Sequence, residues 1–201
     1  MATQSDRRTA TRAAILQAAR QLFGGHGFGA TTIDQIATAA NVAKGAIYHH
    51  FTTKEAIFEA IFDEVSGELA AQVAAVAATE QDVLAALAAG TKAYFSACSE
   101  GATAQIILKD GPAVLGWARW REIDARHFAG MIPRALGKAM QDGLIAPQPV
   151  EPLARLLLGA ITEAAAACAA RPDILAAGNE YGTALGTLLE ALRLERRDAS
   201  R

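Results

Sequence analysis

Only three residues, Asn41-Val42-Ala43, separate two short segments with helical patterning, and this spacing constrains the fold more than any other feature. The first segment opens with Thr32-Ile33-Asp34-Gln35, the T-x-x-Q form of a capping box, which predicts a helix from Ile33 to Ala40. Asn41 is suited to end it in a left-handed conformation, which asparagine tolerates better than most residues. The second segment begins at Lys44. A short helix, a tight turn and another short helix make a helix-turn-helix.

Helical patterning continues on both sides. Residues 9–24 carry a stripe of Ile15, Ala19, Leu22 and Phe23 that stops at Gly24-Gly25. The turn His26-Gly27-Phe28-Gly29 leaves Phe28 free to pack back under that helix. Thr52-Thr53-Lys54-Glu55 offers a second capping box before a stripe of Ile57, Phe58, Ile61, Phe62, Val65, Leu69, Val73 and Val76, so a long fourth helix reaches about Ala78. A fifth helix is expected from Thr79. Gly101 and Gly111-Pro112 then break the pattern around AQIILK, and residues 112–142 are helical, with Pro133 marking a kink or a new start. Two final helices, roughly 150–169 and 174–194, flank Arg171-Pro172-Asp173.

Alanine and leucine dominate, β-branched residues are scarce and aromatic residues make up 6%, which favours helix over sheet nearly everywhere. The expected fold is all-α. A three-helix N-terminal domain carrying the helix-turn-helix, residues 1–53, is joined through the long fourth helix to a helical domain, residues 54–201. No repeat of fixed period appears.

The net charge of −2 conceals an asymmetry. Residues 1–54 hold six Lys/Arg and two acids, whereas the remainder holds thirteen bases and nineteen acids. A basic head on an acidic body suits a head that meets a polyanion; a solvated face that is basic by chance is the plainer reading. Cys98 and Cys168 have no C-x-x-C spacing and read as buried small residues. The polar start MATQSDRRTATR is unlike a secretory signal, and no run of eighteen apolar residues escapes a charge. The chain is therefore expected to be soluble and cytoplasmic, with no membrane partner.

The stretch NVAKGAIYHHF places Lys44, Gly45, Tyr48, His49 and His50 together. Adjacent histidines on a helix point about 100° apart. Chelation of one metal from one helix uses positions i and i+4, and no Cys, Asp or Glu nearby completes a ligand set. No nucleophile-and-base pair and no Gly-rich phosphate loop is present, so the sequence calls for no metal, cofactor or catalytic site.

Residues 31–61, TTIDQIATAANVAKGAIYHHFTTKEAIFEAI, resemble the DNA-binding region of the TetR family of bacterial transcriptional regulators. The matching features are T-φ-x-x-I-A at 32–37, the turn at 41–43, K-G-x-φ-Y-x-H-F at 44–51 and T-K-E at 53–55. Ala43 departs from the serine or threonine that many members carry. In this light Gly45 and Ala46 let a helix approach the floor of a major groove. Lys44 reaches a phosphate or a guanine edge, while Tyr48 and His49 donate to phosphates. Thr32 and Lys54 each stand at a helix start that favours a phosphate. Packing is the competing reading for Tyr48, and packing or capping is the stronger one for His50. Arg7, Arg8 and Arg12 form either an arm along DNA or a solvated, disordered end.

The resemblance also implies a body that binds a small-molecule effector and holds two chains together. Trp117, Trp120 and Arg121, followed by His127, Phe128 and Met131, are candidates for the effector pocket, with Phe95, and more weakly Tyr94 and Met140, from elsewhere. Ordinary core is the rival reading for tryptophans at helical spacing. Leu157, Gly159, Ile161, Ala164, Gly182, Leu185 and Leu189 are candidates for a four-helix dimer interface, or pack within one chain. The function so implied is a dimeric repressor released from a pseudo-palindromic operator by its effector. The alternative is a helical ligand-binding protein or enzyme whose helix-turn-helix is incidental.

Overall fold

The structure is a computed structural model and describes residues 3–128 and 130–194. Its helices are α1 (Gln4–His26), α2 (Ile33–Ala39), α3 (Lys44–His50), α4 (Lys54–Ala77), α5 (Val83–Cys98), the single turn α6 (Gly101–Thr103), α7 (Gly111–Phe128), α8 (Met131–Gln141), α9 (Val150–Ala169) and α10 (Ile174–Glu190). A π-helical segment, Ala104–Asp110, joins α6 to α7. The chain forms two compact units, one running up to Gly67 and adding Glu100–Ile123, the other comprising Glu68–Ser99 and the chain from Asp124 onward. The first unit is thus larger than the helix-turn-helix head expected to end at residue 53.

In the first unit α1 starts earlier than its apolar stripe predicts. Thr3 and Asp6 close a capping box, with Asp6 Oδ2 accepting from the Thr3 N–H at 2.8 Å and Thr3 Oγ1 from the Asp6 N–H at 3.2 Å. Arg7, Arg8 and Arg12 therefore lie on a helix and do not form a disordered end. Phe28 does fold back: its ring lies 5.5 Å from Phe23 and 5.4 Å from Phe58, and Phe23 meets Phe58 at 5.5 Å. Its N–H donates to Asp110 Oδ2 at 2.7 Å, tying the turn after α1 to the π-helical segment. Ile36, Ile47 and Phe51 complete the core beneath α2 and α3.

Trp120 is core as well. Its ring stacks obliquely on Phe62, with centroids 6.3 Å apart, and its Nε1–H donates to the Ile107 carbonyl at 2.9 Å. Gly111 permits this approach, because a Cβ there would lie 2.8 Å from the Phe62 ring and 2.9 Å from Trp120. The helical stretch expected over 112–142 has the new start foreseen near Pro133, and a second break that the sequence did not signal. Gly116 leaves helical geometry with φ 74°, and the chain restarts at Met131. Pro133 then sits in the first turn of α8, where its missing N–H costs nothing.

In the second unit α5 starts at Val83, later than the expected Thr79, because Asp82 is the better cap: Oδ1 accepts from the Leu84 and Ala85 N–H groups, both at 2.9 Å. Helix α10 packs along α5, and α8 packs on α5 and α9. Leu84, Ile132, Leu136, Ala139, Ile145 and Ala154 form a core cluster. Arg193 closes the end of the unit, bridging Asp82 at 3.0 Å and Glu190 at 2.8 Å. By length and composition alone α9 is apolar enough to cross a membrane. Here it is flanked by α8 and α10.

Candidate functional site

The turn between α2 and α3 forms as its residues dictate. Thr32 and Gln35 complete the predicted capping box, Oγ1 accepting from the Gln35 N–H at 3.2 Å and Gln35 Oε1 from the Thr32 N–H at 2.8 Å. Asn41 takes the left-handed conformation with φ 53°, and the Val42 N–H returns to the Ala37 carbonyl at 3.0 Å. These bonds fix where α3 begins. Buried Ile47 anchors its inner side, and the opposite side presents Lys44, Gly45, Tyr48 and His49 to solvent, with Tyr48 52% exposed and nothing within 4 Å of a Cβ built on Gly45. Ala46 is half-buried beside them.

Lys44 is not a bare cation. Its ammonium pairs across the turn with Asp34, at 2.8 Å and 3.0 Å to the two carboxylate oxygens, and this bond raises the lysine pKa. Both partners are exposed, so a phosphate can compete for the ammonium. Ala43 is exposed at the N-cap of α3 and supplies no side-chain bond. Ala43→Ser is expected to stabilise the protein by about 1 kcal/mol, seen as a raised Tm, because the hydroxyl accepts from a free N–H of the first turn.

Lys54 is engaged within its own unit. Its Nζ donates to the Phe28 and Thr31 carbonyls, each at 2.8 Å, and lies 4.0 Å above the Phe28 ring. Half-buried, it clamps the turn preceding α2. Arg8, Arg12, Arg20 and His50 line a groove along α1, with Arg12 stacked 5.3 Å over Phe51. Burial, with the charges of His49, Arg8 and Arg12 adding to it, lowers the His50 pKa. The geometry suits this half-buried histidine to packing better than to a role on the outer side of α3. Among the described residues no three His, Cys, Asp or Glu side chains gather as metal ligands.

The second unit has an apolar cavity of about 460 Å³, open to solvent, between the last turns of α4, α5, the end of α7, α8 and α9. Phe128 and Met131 line it, as does Tyr94. The remaining effector candidates are elsewhere. Trp120 is core of the first unit, Trp117 is 40% exposed with its ring edge-on to Trp120, and Arg121 is exposed. Phe95 is buried behind Tyr94, and His127 does not reach the wall. Asp124, Thr91 and Arg134, which the sequence did not single out as ligand contacts, supply the polar part of the lining.

Residues 84–192, more than half of the chain, match the family profile described as "Tetracyclin repressor-like, C-terminal domain", and residues 15–61 match that of the tetR family of bacterial regulatory proteins. The chain belongs to the TetR family. Among curated relatives of this TetR-family chain, the transcriptional repressor AcnR of Corynebacterium glutamicum is 40% identical over 53 residues, 26% of this chain and 28% of AcnR. The probable acrEF/envCD operon repressor of Escherichia coli is 46% identical over 48 residues, 24% of this chain and 22% of that protein. These matches thus span about a quarter of each relative. A TetR-family regulator from Pectobacterium atrosepticum superposes with a TM-score of 0.86 at 28% identity, covering 98% of this chain and all of that one. RolR in complex with resorcinol gives a TM-score of 0.72 at 16% identity, covering 92% of this chain and 90% of RolR, a likeness of fold.

The last two helices of this TetR-family chain expose a different face from the one the sequence suggests. Ala164, Gly182, Leu185 and Leu189 are buried within the chain, Gly182 against the backbone of Lys92 on α5. Ile161 lines the cavity and Leu157 packs on the core cluster. Only Gly159 of the seven interface candidates is exposed. The large apolar side chains that face outward are Leu156 on α9 and Leu175 and Leu188 on α10, at 71%, 48% and 60% exposure. The small residues admit α5 closely, and the leucines a step around each helix are left without cover.

Proposed function

We propose that this chain is a homodimeric, cytoplasmic transcriptional repressor that binds a pseudo-palindromic operator through α3 and leaves it when a small molecule enters the cavity of the second unit. The observation that carries the reading is the outer side of α3. A helix held from behind by Ile47 presents a lysine, a glycine, a tyrosine and a histidine with no bulk between them. Gly45 and half-buried Ala46 allow backbone approach to base edges, and Lys44, Tyr48, His49 and the α2 start at Thr32 supply donors to phosphates. AcnR, 40% identical over 53 residues, is named a repressor, and RolR holds resorcinol in a similar fold.

One α3 contacts few base pairs, so two copies are needed, in successive major grooves about 34 Å apart. The outward leucines Leu156 and Leu188, flanking exposed Gly159, are the surface on which a second copy fits. Helix α4 follows α3 in the chain and its Val73 and Ala77 line the cavity, so the helix after the reading helix is one that a ligand would touch. A coupling of about 1–3 kcal/mol between ligand and operator changes affinity ~5- to 150-fold.

The test is fluorescence anisotropy with DNA flanking the chain's own gene and with random DNA at moderate salt. The wild type is expected to prefer a site there, and Lys44→Ala with Tyr48→Ala to lose at least about tenfold in affinity. Equal binding to both DNAs by the wild type refutes the reading.

A further inference from the structure

We infer that Asp34 determines specificity by holding the Lys44 ammonium away from DNA of random sequence, so that the lysine is released only at a matched site. The inference rests on the operator reading above and concerns how its reading face discriminates. Residues 1–54 contain two acids, Asp6 and Asp34. Asp6 closes the capping box of α1, whereas the start of α2 is capped by Thr32 and Gln35 without Asp34. The Asp34 carboxylate is 71% exposed, and among the described residues its partner is Lys44, at 2.8 Å and 3.0 Å. Tyr48 follows Lys44 one turn on, on the same side of α3. An acid with no capping task thus stands on the face that meets a polyanion, and it is bonded to the first cation of that face.

The charges of the pair make it selective. Closed, it carries no net charge, so against a phosphate chain it releases no counterion and adds nothing to sequence-independent binding. On random DNA, exchanging the carboxylate for a phosphate replaces one exposed anion with another and strands Asp34 beside the backbone, where like charges repel. The pair therefore stays closed. On a matched site the remaining contacts of α3 seat it in the groove, and Gly45, with open space above it, lets the backbone come close. Lys44 then meets a phosphate at a fixed place, or a guanine edge whose O6 and N7 both accept from an ammonium. Specificity is a difference of two affinities, and Asp34 lowers the random one more than the matched one. The dipole of α2 also favours an acid at Asp34, but that structural task does not change with the DNA sequence.

Binding of the full-length protein is measured by fluorescence anisotropy over a range of salt concentrations. The two probes are a duplex that the wild type selects from a random-sequence pool and its scrambled counterpart. Asp34→Asn keeps the side-chain size and frees the lysine. It is expected to tighten binding to the scrambled duplex by about fivefold for each protomer engaged at ~0.15 M salt, and to steepen the log–log salt slope by about 0.9 for each. The selected duplex should gain less, because there Lys44 has left Asp34 in the wild type as well. In a Lys44→Ala background Asp34→Asn should leave the slope for the scrambled duplex unchanged, since no lysine is freed. Equal tightening on both duplexes reduces Asp34 to a repelling surface charge and overturns the inference, as does a steeper slope that persists without Lys44. Weaker binding to the selected duplex also overturns it, by making Asp34 itself a contact. The two readings fail separately. A wild type that selects no sequence refutes the operator reading, whereas a wild type that selects a site while Asp34→Asn leaves the ratio of affinities unchanged refutes only the role of Asp34.

Discussion

Asp124→Leu is expected to make the protein more stable, and by a margin that grows as pH rises from about 4 to about 8. The Asp124 carboxyl has no ion-pair partner among the described residues, and burial pushes its pKa up to about 7. The folded chain therefore keeps a proton that the unfolded chain releases near pH 4. Stability from this group is fully present below about pH 4 and is lost as pH rises through about 7, a change of up to about 4 kcal/mol. Leucine is close to aspartate in size, joins an apolar wall and has nothing to ionise. Carboxyls with the opposite shift, Asp6, Asp82 and Glu190, lose their contributions as pH falls through the acid range, equally in both proteins. Tyr94 and Cys98, both raised by burial, stay neutral throughout this window. Urea denaturation of both proteins at pH 5 and pH 8, at one protein concentration, isolates the difference. Parallel pH profiles for the two would mean that the carboxylate is stabilised by a partner and is not the orphan the geometry shows.

The reading head was legible because its determinants are local. Thr32 and Gln35 are three apart, Asn41 ends α2 by its own conformational tolerance, and the exposed side of α3 follows from helical periodicity once Ile47 is taken as the buried side. Other features depend on which part of the chain a side chain meets, and periodicity is silent on that. Trp117 and Trp120 do share a helix side, but the chain changes compact unit between Ile123 and Asp124, so the tryptophans serve one unit and Phe128 and Met131 the other. Glycines and alanines along α10 signal close approach of another helix. That helix is α5 of the same chain, and the signal would read the same had it been α10 of a partner. The outward leucines were masked for a similar reason: Leu156, Leu157 and Leu158 are consecutive, and only the tertiary fold shows that Leu156 is the one left over.

The two lysines of the head are expected to fail in opposite ways when replaced. Both stand at helix starts, and by charge alone both are phosphate ligands. The carbonyls that capture Lys54 belong to residues 23 and 26 positions earlier, beyond the reach of a local pattern. Lys54→Met keeps the stem and removes the donors, leaving the Thr31 carbonyl without its lysine partner, the Phe28 carbonyl with only the Thr31 N–H at 3.3 Å, and the Phe28 ring without its cation. A loss of about 2–3 kcal/mol in stability is expected. The salt dependence of operator binding, measured well below the melting transition, should stay as in the wild type, since every phosphate keeps its ligand. Lys44→Ala should leave Tm unchanged, because the exposed pair with Asp34 adds little to folding. It should instead flatten the salt dependence, by about 0.9 in log–log slope for each phosphate no longer neutralised and about twice that for a dimer. Thermal melts and salt titrations on the same two variants separate the cases. A flattened slope with an unchanged Tm for Lys54→Met would make Lys54 the phosphate ligand that its position in the sequence suggests, and would require its ammonium to leave the carbonyls when DNA binds.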